Sequence, residues 1–200
     1  MPVAYIGMGG NLPSWAGGPE ATLTAAAERL KSLGHVTRRS SLYSTEPVGF
    51  AEQPRFVNAV VELEADLEPR ELLEGLLKIE QEFGRDRREG IRNGPRTLDL
   101  DILLLGDAKI SEPGLEIPHP RLAERTFVLI PLIEISSSIV HTGLGLAVSQ
   151  LLHYLRVGTE SGEDAPIPIQ WVDWPAGAGR DGAGRGAAEG RGSAEPDRSG

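Results

Sequence analysis

Residues 56–105 read FVNAVVELEADLEPRELLEGLLKIEQEFGRDRREGIRNGPRTLDLDILLL. The hydrophobic period switches within this stretch. From 56 to 65 the side chains alternate, with Phe56, Asn58, Val60 and Glu62 against Val57, Ala59, Val61 and Leu63, which predicts a strand. Pro69 then opens a helix, PRELLEGLLKIEQEF, that turns Leu72, Leu73, Leu76, Ile79 and Phe83 inward and stops at Gly84. A long polar loop follows. TLDLDILLL, 97–105, returns to a strand, and its apolar richness implies burial inside a sheet.

Upstream, Pro2 to Met8 reads as a short strand ending in Gly9, Gly10 and Asn11, and the glycines of GMGGN read as a tight strand-to-helix turn. EATLTAAAERLKSL, 20–33, places Leu23, Ala26, Ala27, Leu30 and Leu33 on one helical face, with Gly34 as its stop. Residues 35–44 read as one strand, separated from 56–65 by the loop STEPVGFAEQPR. Downstream come the turn Ile117-Pro118-His119-Pro120, an apolar stretch FVLIPLIEI, and a short helix over 146–155. The order strand, helix, strand, strand, helix, strand predicts an α+β fold, a ferredoxin-like α/β sandwich with a mostly antiparallel sheet and long mobile loops beside its site.

The chain has 200 residues, no Cys and a formal net charge of -9. One domain is the expectation, spanning 1–157. Residues 158–174 form an extension expected to pack on it. Residues 175–200 are Gly- and Ala-rich, their acidic and basic side chains cancel, and they are expected to be disordered. The absence of Cys excludes disulfides, thiolate metal sites and cysteine nucleophiles. The acidic balance argues against nucleic acid or a membrane surface as partner, so any polyanion must be held by local arginines and metal ions. Without a basic leader or a long apolar run the chain reads as cytoplasmic, and a monomer is expected.

Asp99 and Asp101 carry the strongest chemical signal. Residues two apart on a strand point to one face with Cα atoms about 6.5 to 7 Å apart, so the pair can hold one or two hard cations. Ionised carboxylates in an apolar strand require a cationic neighbour, and Mg²⁺ with a phosphate substrate supplies one; ion pairs with nearby arginines are the plainer alternative. The preceding loop, GRDRREGIRNGPR, concentrates Arg85, Arg87, Arg88, Arg92 and Arg96 in an otherwise acidic chain. Guanidinium forks match phosphate oxygens and do not titrate near neutral pH. His119, with Arg125 shortly after it, is placed to join them. Asn58 is an amide in a strand between apolar neighbours, a group that reads the edge of a flat heterocycle. The residues point to phosphoryl or nucleotidyl transfer, and a metal-dependent nuclease or a non-catalytic binding module remains open at this stage.

AYIGMGGNL, LYSTEPVGFAEQPRFVNAVVEL, GRDRREGIRNGPRTLDLDILLL and IPHPRLAERTFVLIPL, in that order, resemble the 6-hydroxymethyl-7,8-dihydropterin pyrophosphokinases of folate biosynthesis. The resemblance runs from Val3 to about Tyr154. It implies transfer of pyrophosphate from ATP to the hydroxymethyl group of the dihydropterin, with release of AMP, on a ferredoxin-like fold with two Mg²⁺ ions. By that likeness Asp99 and Asp101 are the metal ligands, and Arg85 and Arg96 act on the phosphates during transfer. Glu80, Arg87, Arg96, Ile102, His119 and Arg125 match ATP-binding positions. Thr45, Val48, Phe56, Asn58 and Phe127 match the pterin pocket, with the two phenylalanines as a sandwiching pair. Asn93 stands where some members carry Trp.

Overall fold

The computed structural model describes residues 1–47, 52–86, 94–159 and 169–172. It has a mixed α/β architecture. A six-stranded antiparallel sheet is built from β1 (Val3–Gly10), β2 (His35–Arg39), β3 (Leu42–Thr45), β4 (Phe56–Glu64), β5 (Asp99–Leu105) and β10 (Ile169–Val172). The path runs β10-β3-β4-β1-β5, with β2 also pairing β4. The strand expected over 35–44 is therefore broken. Ser40 interrupts it, donating its N–H to Val60 O at 2.9 Å while its hydroxyl accepts the Val60 N–H at 2.9 Å. Both pieces still flank β4. Two hairpins, β6 (Ile110–Glu112) with β7 (Leu115–Ile117) and β8 (Val140–His141) with β9 (Leu146–Ala147), lie outside the sheet.

Helices cover both faces. On one lie α1 (Pro19–Leu30) and α2 (Pro69–Glu82), whose Leu23, Ala26, Ala27, Leu30, Leu72, Leu76, Ile79 and Phe83 pack against Ala4, Ile6, Met8, Val57, Val61 and Leu100. The period of these helices in the sequence is the geometry of that contact. α2 begins at Pro69, and the Glu71 carboxylate accepts the Glu68 N–H at 3.0 Å, closing the first turn. On the opposite face α3 (Thr126–Ile135) and α4 (Val148–Thr159) enclose Val128, Leu129, Leu132 and Leu151 over Tyr5, Val60 and Leu103. The apolar stretch FVLIPLIEI is thus helix α3, with Pro131 inside it.

The glycines of GMGGN are not a turn, because β1 continues through Gly10. Their role is close approach. A Cβ on Gly9 would sit 2.9 Å from Asn58 Oδ1, and one on Gly10 would sit 2.3 Å from the carbonyl oxygen of Thr97. Among the described residues no helix is long and apolar enough to cross a membrane.

Candidate active site

The register of the sheet assembles the site. Gly9 pairs with Asn58 of β4 on one side and with Asp99 of β5 on the other, while Gly7 pairs with Asp101. Because β1 contributes no side chains at these two positions, the sheet has a depression flanked by an amide and two carboxylates. α3 and the segment before it cover part of that face, so Arg125, Phe127 and Val128 close the depression from above together with Arg96.

Asp99 is held by two arginines. Its Oδ1 lies 3.1 Å from Arg85 Nη2 and its Oδ2 lies 3.1 Å from Arg96 Nε. Arg85 also donates to Leu98 O at 3.0 Å, and Arg96 donates to Gly94 O at 3.1 Å. The sequence places these arginines in a loop, and the fold brings both to one carboxylate. Asp101 is more open, with 37% of its side chain exposed against 19% for Asp99, and its Oδ2 is 3.8 Å from His119 Nε2. His119 Nδ1 accepts the Arg121 N–H at 3.1 Å, so in the neutral ring the remaining proton sits on Nε2, facing the carboxylate. Burial holds the His119 pKa below the ordinary imidazole value, opposed by the Asp101 charge and assisted by Arg125. Burial, then the neighbouring Arg121, lowers that of Arg125 as well. This local excess of cationic groups in a chain of net charge -9 is suited to a polyphosphate.

Two cavities meet at Asp101. The narrow one, about 30 Å³, runs between Asn58, Gly9, Arg96, Asp99 and Phe127. The wider one, about 280 Å³, lies beyond Asp101 and is lined by Leu73, Ile102, Leu115, Glu116, His119 and Pro120, among others. The β6–β7 hairpin forms a wall of the wider cavity, which the sequence reading missed. Pro113-Gly114, with Gly114 at φ +76, is the turn signal that marks it.

The candidate residues distribute as follows. Asn58 Nδ2 donates to Thr45 Oγ1 at 2.8 Å, which fixes the amide and leaves Oδ1 on the Gly9 side, toward the cavity. Phe127 lines that cavity. Phe56 is not among its lining residues, since the Arg96 guanidinium lies over the ring at 4.7 Å. Glu80 is 1% exposed, and its carboxylate accepts the Leu100 N–H at 2.8 Å; it braces α2 against β5 and lines neither cavity. Val48, Arg87 and Asn93 fall outside the described residues. Asn11, absent from the sequence expectations, is 3% exposed and ties the surrounding loops together. Its Nδ2 donates to Gln53 Oε1 and Pro54 O at 3.0 and 2.9 Å, and its Oδ1 accepts the Arg96 N–H at 2.8 Å. A polar residue directly after a glycine-rich strand end was the available signal.

Residues 5–137 match the family model of 7,8-dihydro-6-hydroxymethylpterin-pyrophosphokinase. The chain belongs to this family. It is 45% identical over 139 residues to the 2-amino-4-hydroxy-6-hydroxymethyldihydropteridine pyrophosphokinase of Bacillus subtilis, covering 68% of this chain and 80% of that one. The enzyme of the same name from Haemophilus influenzae is 44% identical over 142 residues, covering 70% and 85%. Among solved structures, Plasmodium falciparum HPPK-DHPS superposes with a TM-score of 0.63 at 15% identity, a likeness of fold. That alignment covers 80% of this chain and 46% of the Plasmodium chain.

Proposed function

We propose that the narrow cavity is the pterin site, the wider one the nucleotide site, and Asp99 and Asp101 the junction where the pyrophosphoryl group passes between them. The reaction is that of the family, transfer of pyrophosphate from ATP to the hydroxymethyl group of a 6-hydroxymethyl-dihydropterin in folate synthesis. The observation that carries the assignment is the row Asn58, Gly9, Asp99 across adjacent strands. Two strand spacings, about 9.5 Å, separate the backbone positions of Asn58 and Asp99, the span of a bicyclic ring and its one-carbon arm, and the cavity of about 30 Å³ widens to take the ring when Arg96 swings away. The ring lies over Gly9, where there is no side chain. Asn58 Oδ1 accepts from a ring N–H, and Phe127 covers one face. For Phe56 to cover the other, the Arg96 guanidinium must leave it, and the phosphates of ATP are the natural destination for that charge.

Asp99 and Asp101 fit Mg²⁺. They lie on one face of β5 beside Gly7 and Gly9, which carry no side chain, and a cation that takes one or two carboxylates and completes its shell with water and phosphate suits such a pair. When bound, the metal neutralises the triphosphate and polarises its oxygens. Two ions, a monomeric enzyme, a cytoplasmic setting and a ferredoxin-like strand order with mobile loops beside the site belong to this proposal. The protein's own part is positioning and charge. Arg85 and Arg96 hold the transferring phosphates, and His119 donates a hydrogen bond from Nε2–H to a phosphate oxygen. Arg125 adds positive charge above the cleft, while Ile102, Leu73 and Leu115 enclose the base. Because this chemistry needs little covalent help, each residue contributes through geometry.

The test separates the two cavities. Phe127→Ala is expected to raise the Kd for the dihydropterin at least about 10-fold, while the Kd for Mg-ATP changes less than about 2-fold. Calorimetric titration of each substrate distinguishes this from the reverse pattern, which would refute the assignment of the cavities.

A further inference from the structure

The turn between β1 and α1 carries a side chain that neither cavity uses. Trp15 is 71% exposed, yet its ring is held at two points. The indole stacks on Phe83 with centroids 5.1 Å apart and planes 25° apart, and its Nε1–H donates to the carbonyl of Glu82 at 3.0 Å. The residue rides on a tight turn in which Ser14 and Gly17 exchange backbone hydrogen bonds of 2.9 and 3.1 Å. The Ser14 hydroxyl pairs with that of Thr22 at 2.8 Å, fastening the turn to α1.

Its target is the last turn of α2. There Gly84, at φ +81, donates to Gln81 O at 3.0 Å, and Arg85 N–H donates to Glu80 O at 3.0 Å. This is the Schellman pattern, in which a left-handed glycine reverses the chain and satisfies two terminal carbonyls. It leaves over the carbonyl of Glu82, and the indole N–H takes it. The Glu82 carboxylate receives Arg29 in a two-pronged pair at 2.7 and 2.8 Å, so α1 and its preceding turn grip the same residue by side chain and by backbone. The chain leaves this cap at Arg85, whose guanidinium runs directly to Leu98 O and Asp99. The orientation of the last helical turn therefore sets where Arg85 can reach.

We infer that Trp15 is a positioning residue for Arg85, fixing the C-terminal turn of α2 so that its cap delivers the guanidinium to the phosphate site. The inference rests on the reading of Arg85 as a phosphate-holding arginine. It does not require Trp15 to touch substrate. Since most of the ring is in solvent, removing it forfeits little core burial, and the variant is expected to fold.

The test is steady-state kinetics on the full chain for Trp15→Ala, Trp15→Phe, Arg85→Ala and the double variant Trp15→Ala/Arg85→Ala, with Tm recorded for each. Trp15→Ala is expected to lower kcat about 10-fold with both KM values within about 2-fold, because a misplaced group costs the transition state more than ground-state binding. Trp15→Phe, which keeps the stack and loses the N–H, is expected to fall between it and the wild type. In the Arg85→Ala background, Trp15→Ala is expected to have no further effect on kcat. An unchanged kcat in Trp15→Ala, or the same loss in the presence and absence of Arg85, overturns the inference. A wild-type kcat in Arg85→Ala instead overturns the reading of Arg85 itself.

Discussion

Replacing Asp101 by Asn is expected to lower kcat by at least about 10³-fold while leaving Tm within about 2 °C of the wild type. Asp101 is the cleaner member of the pair to test. Asp99 neutralises Arg85 and Arg96, each 3.1 Å away, and removing its charge would leave two part-buried guanidinium groups facing each other. The Asp101 side chain is 37% exposed, and its Oδ2 lies 3.8 Å from His119 Nε2, beyond hydrogen-bond distance. Burial disfavours the charged form of that ring, and Asn keeps the shape of the side chain, so the substitution is expected to disturb the folded protein little. An amide has the same shape but is a poor ligand for a hard cation, and no other described carboxylate gathers with the pair into a set of three or more. Activity as a function of Mg²⁺ concentration and thermal unfolding, measured on the same preparation, separate the two effects. A variant that unfolds would show Asp101 to be a structural ion-pair partner, and one with near-normal turnover would remove it from the metal site.

The second large effect is on stability. Gly10→Ala is expected to cost about 2–4 kcal/mol, because the added methyl would lie 2.3 Å from the carbonyl oxygen of Thr97 and 3.1 Å from its carbon. These are backbone atoms and cannot rotate away. The 96–98 segment must then separate from the end of β1, just beyond which the N–H groups of Asn11 and Leu12 both donate to Arg96 O at 2.9 and 3.0 Å. Arg96 and the Asn11 side-chain bonds move with it, so activity falls together with stability. Urea unfolding at constant m-value reads the loss. A midpoint unchanged from the wild type would mean the close approach relaxes freely, and the glycines would then be explained by something other than packing.

What the sequence made legible was whatever depends on local period. α2 is amphipathic enough that its extent could be read to within a residue, and Asp99 and Asp101 share a face in any strand. The clustering of Arg85 and Arg96 near those carboxylates followed from their proximity along the chain. Long-range register was not legible. Nothing local says that Gly9 lies between Asn58 and Asp99, so the glycines read as a turn when they are the floor of the site. α3 was read only as an apolar stretch because it is hydrophobic all round and contains Pro131, so its period carries little signal. The β6–β7 hairpin has strands of three residues, too short for alternation to register. Arg96 over Phe56, and Trp15 on the cap of α2, join residues that only the tertiary fold makes neighbours.

The most direct measurement is product analysis. The purified chain, incubated with ATP, Mg²⁺ and 6-hydroxymethyl-7,8-dihydropterin, is predicted to release AMP in a pterin-dependent manner, with a pterin diphosphate formed in equal amount. Pterin-dependent ADP, or no turnover by a protein whose unfolding transition is intact, would contradict pyrophosphoryl transfer at the junction of the two cavities.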